Sequence, residues 1–149
     1  MEENGTWKIV ELLEGKNIIS CKWVFKIKYK ADGQIDRFKA RLVAKGYSKT
    51  EGIDYQETFS PVVKMTTVRS IIALVATQHW NIFQMDVFNA FLQGDLLEEI
   101  YMELPKEFYS DKKSKNLVCK LVKSLYGLKQ ASRQWKAKLT EALLSSGYA

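Results

Sequence analysis

Three groups of residues in this chain have types and spacings that could do chemistry. The first is a single carboxylate, Asp86, delivered at the end of the short apolar run Ile82-Phe83-Gln84-Met85. That run reads as a buried strand, and an isolated acid leaving a buried strand is costly unless it meets a cation or a donor. Two roles fit the acid: a turn or N-cap aspartate, or a Mg²⁺ ligand at a phosphoryl-transfer site. Taken alone, the stretch does not choose between them. The second group is a set of cations at alternate positions, Lys22, Lys26, Lys28 and Lys30 in one segment and Arg37, Lys39, Arg41 and Lys45 in the next. Such a row can hold a phosphate backbone or a triphosphate, because each guanidinium fork pairs two oxygens at once. The solvent face of an ordinary two-sided sheet has the same pattern. The third group is sparse: Cys21, Cys119 and the single histidine, His79. No CxxC spacing is present, so the cysteines read as reduced core thiols and not as a zinc site or disulfide framework. His79 reads as a helix-end residue.

The bulk numbers frame these groups. With 149 residues, 46% hydrophobic and 12% aromatic, the chain can bury a core and belongs to the globular class. The formal charge of +6 is unevenly distributed: residues 7–49 hold 11 Lys/Arg and 4 Asp/Glu, an excess of +7 that leaves −1 for the rest. A basic region of this kind suits a polyanion. The longest apolar run, residues 71–76, is far too short to span a membrane. An intracellular protein is therefore expected.

The elements that must position the groups follow from periodicity. Residues 8–13 read as a strand. Residues 19–29 alternate, with Cys21, Trp23, Phe25, Ile27 and Tyr29 on one face and the lysines on the other. Asp32-Gly33 signals a hairpin turn, and the return strand sets Phe38, Ala40, Leu42 and Ala44 against the Arg/Lys row. The pair makes a basic antiparallel hairpin. A loop packed by Tyr55 and Phe59 runs to Pro61. Thr66 or Thr67 then caps a helix to about His79, with Val68, Ile71, Ile72, Val75 and Ala76 as its apolar stripe. After the Asp86 strand and a turn at Ala90-Phe91-Leu92, Asp95 reads as a surface cap. Ile100-Tyr101-Met102 is a short strand, residues 107–116 a charged loop, and residues 117–121 a further strand. A turn around Gly127 leads to a last helix capped by Ser132, with Trp135, Leu139, Ala142 and Leu143 on one face. The order suggests an α+β domain, an antiparallel sheet with packed helices.

Four segments in order carry a resemblance: Lys39-Ala40-Arg41-Leu42-Val43-Ala44-Lys45-Gly46, Glu57-Thr58-Phe59-Ser60-Pro61-Val62, Gln84-Met85-Asp86 with Asn89-Ala90-Phe91-Leu92, and Ser124-Leu125-Tyr126-Gly127-Leu128-Lys129-Gln130-Ala131. Together they resemble the reverse transcriptase of Ty1/copia-type LTR retrotransposons, over about the whole chain from Asn4 onward. The resemblance implies a right-hand polymerase, with residues 4–61 as fingers and 62–149 as fingers and partial palm. It implies Mg²⁺ as cofactor, an RNA or DNA template-primer and a dNTP as partners, no membrane, and a cytoplasmic, virus-like-particle setting with the nucleus as alternative. Asp86 matches the first palm aspartate, a catalytic metal ligand, and the backbone carbonyl of Val87 a second. Phe91 matches the bulky residue under the sugar, where a flat apolar ring leaves no partner for a 2′-hydroxyl. Lys39 and Arg41 would meet the triphosphate, in a register left open because period 2 puts both on one face. Tyr126 and Gly127 would line the nucleotide pocket, and Lys26, Lys28, Lys45 and Lys129 would contact nucleic acid.

The chain departs from the family pattern at Ser132, where Pro is usual, at Phe88, where Lys is common, and at Gln93, where Asn is usual. The family's Tyr-x-Asp-Asp hairpin is not in this sequence, nor is any Asp-Asp pair. A two-metal site with one carboxylate lacks most of its charge. The expectation is therefore a fragment that binds metal weakly and is inactive alone, with the remaining palm, thumb and RNase H segments absent. A non-catalytic nucleic-acid-binding remnant using the basic hairpin is the alternative.

Overall fold

The computed structural model describes residues 4–52, 55, 57–106 and 116–148. Among them are six strands in two sheets and two α-helices, a mixed α/β architecture. β1 (Trp7–Glu11), β2 (Ile18–Ile19), β5 (Asp95–Met102) and β6 (Leu117–Lys123) form a four-stranded sheet in the order β1-β6-β5-β2. β3 (Cys21–Tyr29) and β4 (Ile35–Ala44) form the separate hairpin. The loop expected over residues 107–116 lies, apart from Asn116, outside the described residues.

Period-2 alternation predicts the hairpin, and the register bears it out. Cys21, Trp23, Phe25 and Ile27 face Ala44, Leu42, Ala40 and Phe38 across the ladder. Directly opposed residues share a face, so the apolar and basic faces separate as expected. The turn is longer than a two-residue hairpin: Lys30 N–H donates to the Gln34 carbonyl at 2.8 Å, and Gln34 N–H donates to Asp32 Oδ1 at 2.9 Å. Only the base of the apolar face is covered. Leu42 and Ala44 are buried, whereas Phe25 and Phe38 near the tip are 74% and 75% exposed.

Several expectations need correction. Residues 19–29 are not one strand: the chain changes sheets at Ser20, where Ile19 pairs with Met102 and Cys21 with Ala44. The β2–β5 pairing is parallel, so the larger sheet is mixed and not purely antiparallel. Asp95 does not cap a turn but opens β5, opposite Lys123 and 3.4 Å from Lys138 Nζ. Neither Thr66 nor Thr67 caps the first helix. α1 (Met65–Thr77) begins after Lys64 without a side-chain cap, because its first turn opens one residue before Thr66. Ser132 likewise lies inside α2 (Ala131–Ser145), which starts after buried Gln130, where Ala131 N–H reaches the Leu128 carbonyl. Its expected apolar face is half-buried at Trp135, Leu139 and Leu143, but Ala142 is exposed. Tyr55 packs its loop, but Phe59 is exposed.

The largest correction concerns residues 81–88. They form no strand and no residue of theirs is buried; Phe83 and Met85 are 84% and 81% exposed. A buried strand needs a ladder partner and a covered face, and no described segment pairs with this one. α1 beside it has no buried residue, so its apolar stripe is not packed among the described residues.

The core sits between the larger sheet and the hairpin base. Trp7, Ile19, Leu42, Ile100, Met102 and Leu125 are central to it, and Phe91 and Leu92 pack on its margin. Cys119 is fully buried there as a thiol, while Cys21 is a half-buried thiol.

Candidate nucleotide and nucleic-acid site

Three chain segments converge at the hairpin base. Ala44 N–H donates to the Tyr126 carbonyl at 2.7 Å, and Val43 forms a parallel bridge with Tyr126. The approach is close enough to require glycine twice. Gly127 has φ +91°, and a Cβ there would collide with the Ala44 carbonyl oxygen. A Cβ on Gly46 would come within 2.6 Å of the Gly127 carbonyl oxygen. Gly46 closes residues 39–46, one of the segments that carry the family resemblance, and nothing local to it gives it a structural role. The local signal for this clasp is the pair, a glycine in the turn that follows each of two strands, Gly46 after β4 and Gly127 after β6.

This clasp sets Tyr126 under Arg41, whose guanidinium carbon lies 5.5 Å from the ring centroid. Phe91 meets the same ring edge-on, at 5.0 Å between centroids and 64° between planes. Phe91 is held by its own short turn. Asn89 adopts left-handed backbone (φ +50°), a conformation Asn tolerates better than most residues. Its carbonyl accepts from Leu92 N–H at 2.8 Å, and the Gly94 carbonyl accepts from Ser124 N–H at 2.7 Å. Gly94 lies flat against Gln134 and Trp135 of α2, where a Cβ would approach within 2.9 Å. The outcome is a column, Arg41 over Tyr126 beside Phe91, drawn from residues 85 positions apart. Arg41 Nε is buried and has no hydrogen-bond partner. A buried unsatisfied donor costs about 1–3 kcal/mol, which an incoming oxyanion would recover.

The basic face continues outward from Arg41. Lys26 stands opposite Lys39, and Lys28 opposite Arg37. Like charges directly opposed on a sheet destabilise it, and a polyanion across both strands would reverse that sign. The other named residues are placed differently. Lys45 is half-buried where β4 ends, its N–H donating to the Ser20 carbonyl at 2.8 Å. Lys129 Nζ donates to the Lys49 carbonyl at 2.9 Å and lies 5.3 Å from the Tyr55 ring centroid.

Asp86 and Val87 are exposed and outside any regular element. Among the described residues no hydrogen bond or ion pair joins Asp86 to the Arg41–Tyr126–Phe91 column. Nor do three Asp, Glu, His or Cys side chains gather into a metal-holding group among them. One exposed carboxylate does not fit a two-metal centre.

Comparison with known proteins decides the family. The family model described as reverse transcriptase (RNA-dependent DNA polymerase) matches residues 4–149. The chain belongs to the reverse transcriptase family. It is 53% identical over 148 residues, 99% of its length, to the retrovirus-related Pol polyprotein from transposon TNT 1-94 of Nicotiana tabacum. It is 49% identical over 146 residues, 97% of its length, to the Pol polyprotein from transposon RE1 of Arabidopsis thaliana. To the transposon Ty1-ER2 Gag-Pol polyprotein of Saccharomyces cerevisiae it is 29% identical over 89% of its length. This reverse transcriptase segment is therefore of the Ty1/copia type. It spans 11%, 10% and 7% of those three relatives. No solved structure matches it. No helix among its described residues is long and apolar enough to cross a membrane.

Proposed function

We propose that this chain supplies the fingers, about residues 4–61, and the first part of the palm, about residues 62–149, of an RNA-directed DNA polymerase. The observation that carries the reading is the column of Arg41, Tyr126 and Phe91, with a buried guanidinium N–H awaiting an acceptor. In this reading Arg41, with Lys39 beside it, holds the dNTP triphosphate. Tyr126 and Gly127 form the floor under the nucleotide. Phe91 offers a flat apolar edge with no partner for a 2′-hydroxyl, favouring deoxynucleotides. Lys26, Lys28 and Lys45 meet the template-primer backbone, and Lys129 does so only by leaving the Lys49 carbonyl. Asp86, with the Val87 carbonyl, contributes one ligand to Mg²⁺ held mainly by carboxylates that other segments supply. Because the described residues do not fit that metal, no catalytic step is assigned to this chain alone.

A second reading, a non-catalytic nucleic-acid binder, is favoured by the opposed Lys26–Lys39 and Lys28–Arg37 pairs. One exchange experiment separates the two. The matching segment of the tobacco TNT 1-94 relative is replaced by this chain, and primer extension is measured with dNTPs and rNTPs. The polymerase reading expects extension that Asp86→Asn abolishes, and rNTP use that rises with Phe91→Ala. Extension surviving Asp86→Asn would remove Asp86 from the metal site, and a chimaera that binds RNA yet never extends a primer would leave only the binding reading.

A further inference from the structure

On the far side of the Phe91 turn lies a cavity of about 290 Å³ that none of Arg41, Tyr126 or Phe91 lines. Thr6, Asn4, Asn89, Gln93 and Lys123 line it, together with an apolar wall of Phe88 and Leu92. Thr6 is 1% exposed, and its Oγ1 is buried without a hydrogen-bond partner. Its backbone carbonyl is already committed, accepting from both Val122 and Lys123 N–H. Lys123 stands opposite Asp95, but the Asp95 carboxylate pairs with Lys138 instead. Lys123 thus has no ion pair among the described residues. The side chains of Asn4, Asn89 and Gln93 likewise form no hydrogen bond to another described residue. Five polar side chains therefore surround one space, all able to donate, with no acid among them.

The geometry points to a second oxyanion site here, one that takes a phosphate monoester. A lysine ammonium, a hydroxyl and three amides present more donors than the two oxygens of a carboxylate can accept, whereas a phosphate has three terminal oxygens. The volume lies near the lower bound of small-ligand pockets. Phe88 and Leu92 give an apolar or aromatic ester group a surface to lie on. The site stands on the cavity and its unpaired donors, independently of any polymerase role.

The test is an NMR titration of the ¹⁵N-labelled 149-residue chain with phenyl phosphate, inorganic phosphate and benzoate in turn. Phenyl phosphate should shift the amides of Thr6, Asn89 and Lys123, and inorganic phosphate should do so more weakly. Lys123→Gln should weaken phenyl phosphate about tenfold or more, since a hydrogen bond to a charged group is lost. Thr6→Val, which keeps the side-chain shape and removes the unpaired hydroxyl, should weaken it severalfold without loss of spectral dispersion. Benzoate binding as tightly as phenyl phosphate would overturn the phosphate assignment. So would shifts centred on Arg41 and Tyr126, absence of shifts at Thr6 and Lys123, or affinity indifferent to both substitutions.

Discussion

Phe91 and Asp86 are five residues apart in the chain, yet they sit in opposite physical situations. Phe91 lies on a turn pinned by Gly94 against α2 and by Ser124 to β6, and its ring meets Tyr126. Asp86 lies on an exposed stretch that follows a helix with no buried residue. Both segments are rich in apolar side chains, so composition does not separate them. What separates them is whether long-range partners are at hand: β6, α2 and the hairpin base are present to receive Phe91, and no described strand pairs with residues 81–88. A recognisable motif residue is a functional group only where its elements have something to close against.

The contrast breaks most visibly at Gly127, the contact that joins the hairpin to the rest of the column. Gly127→Ala places a Cβ against the Ala44 carbonyl oxygen and forces a side chain into left-handed backbone. Strain of both kinds places its cost at about 3 kcal/mol or more, among the large effects for a single substitution. Denaturant unfolding should show that loss. A stability change below about 1 kcal/mol would mean that the clasp is not closed in solution.

A matched pair of truncations sharpens the same comparison. Leu42→Ala empties space at the buried hairpin base and should cost about 2–5 kcal/mol. Ile71→Ala on α1 removes a side chain that is 54% exposed, so little burial is lost. Alanine is also the better helix former, and the change should lie within about 0.5 kcal/mol of zero. Equal losses from the two substitutions would show α1 to be packed against something in solution, and the distinction between the regions would fail.

The same contrast explains what was legible in the sequence. Alternation is local, so the hairpin and its two faces could be read from residues 21–44 directly. The Arg41–Tyr126–Phe91 grouping has no local signal, because no periodicity links residues that distant; only the motif resemblance names the three together. Non-local pairing hid the rest. Ile19 and Cys21 continue one alternating pattern, yet the first pairs with Met102 and the second with Ala44. Trp7 opposite Leu121 left no trace in either segment. Residues 82–85 have the composition of a buried strand, but burial is a property of the partner as much as of the segment. The donors around Thr6 and Lys123 escaped for a related reason: each is unremarkable until the fold brings five together without an acid.

The smallest expected effect lies on the packed side, in the ion-pair cluster where Glu99 bridges Lys120 at 2.6 Å and Lys16 at 2.9 Å. The hydrogen bond from Lys120, then that from Lys16, lowers the Glu99 pKa from 4.5 to about 2. A carboxyl whose folded pKa is depressed adds stability above its unfolded pKa, and that stability fades as pH falls through the folded value. The cluster links the loop after β1 to the β5–β6 ladder, but all three side chains are substantially exposed. Solvent therefore screens the gain, and exposed pairs of this kind contribute little. Wild-type protein and Glu99→Gln should accordingly differ slightly in denaturation midpoint near neutral pH, with the difference narrowing as pH falls from 4.5 through about 2 and shrinking in high salt. A gap that persists well below pH 2, where the carboxyl is protonated in the folded and the unfolded chain alike, would show that Glu99 acts through packing and not through its charge.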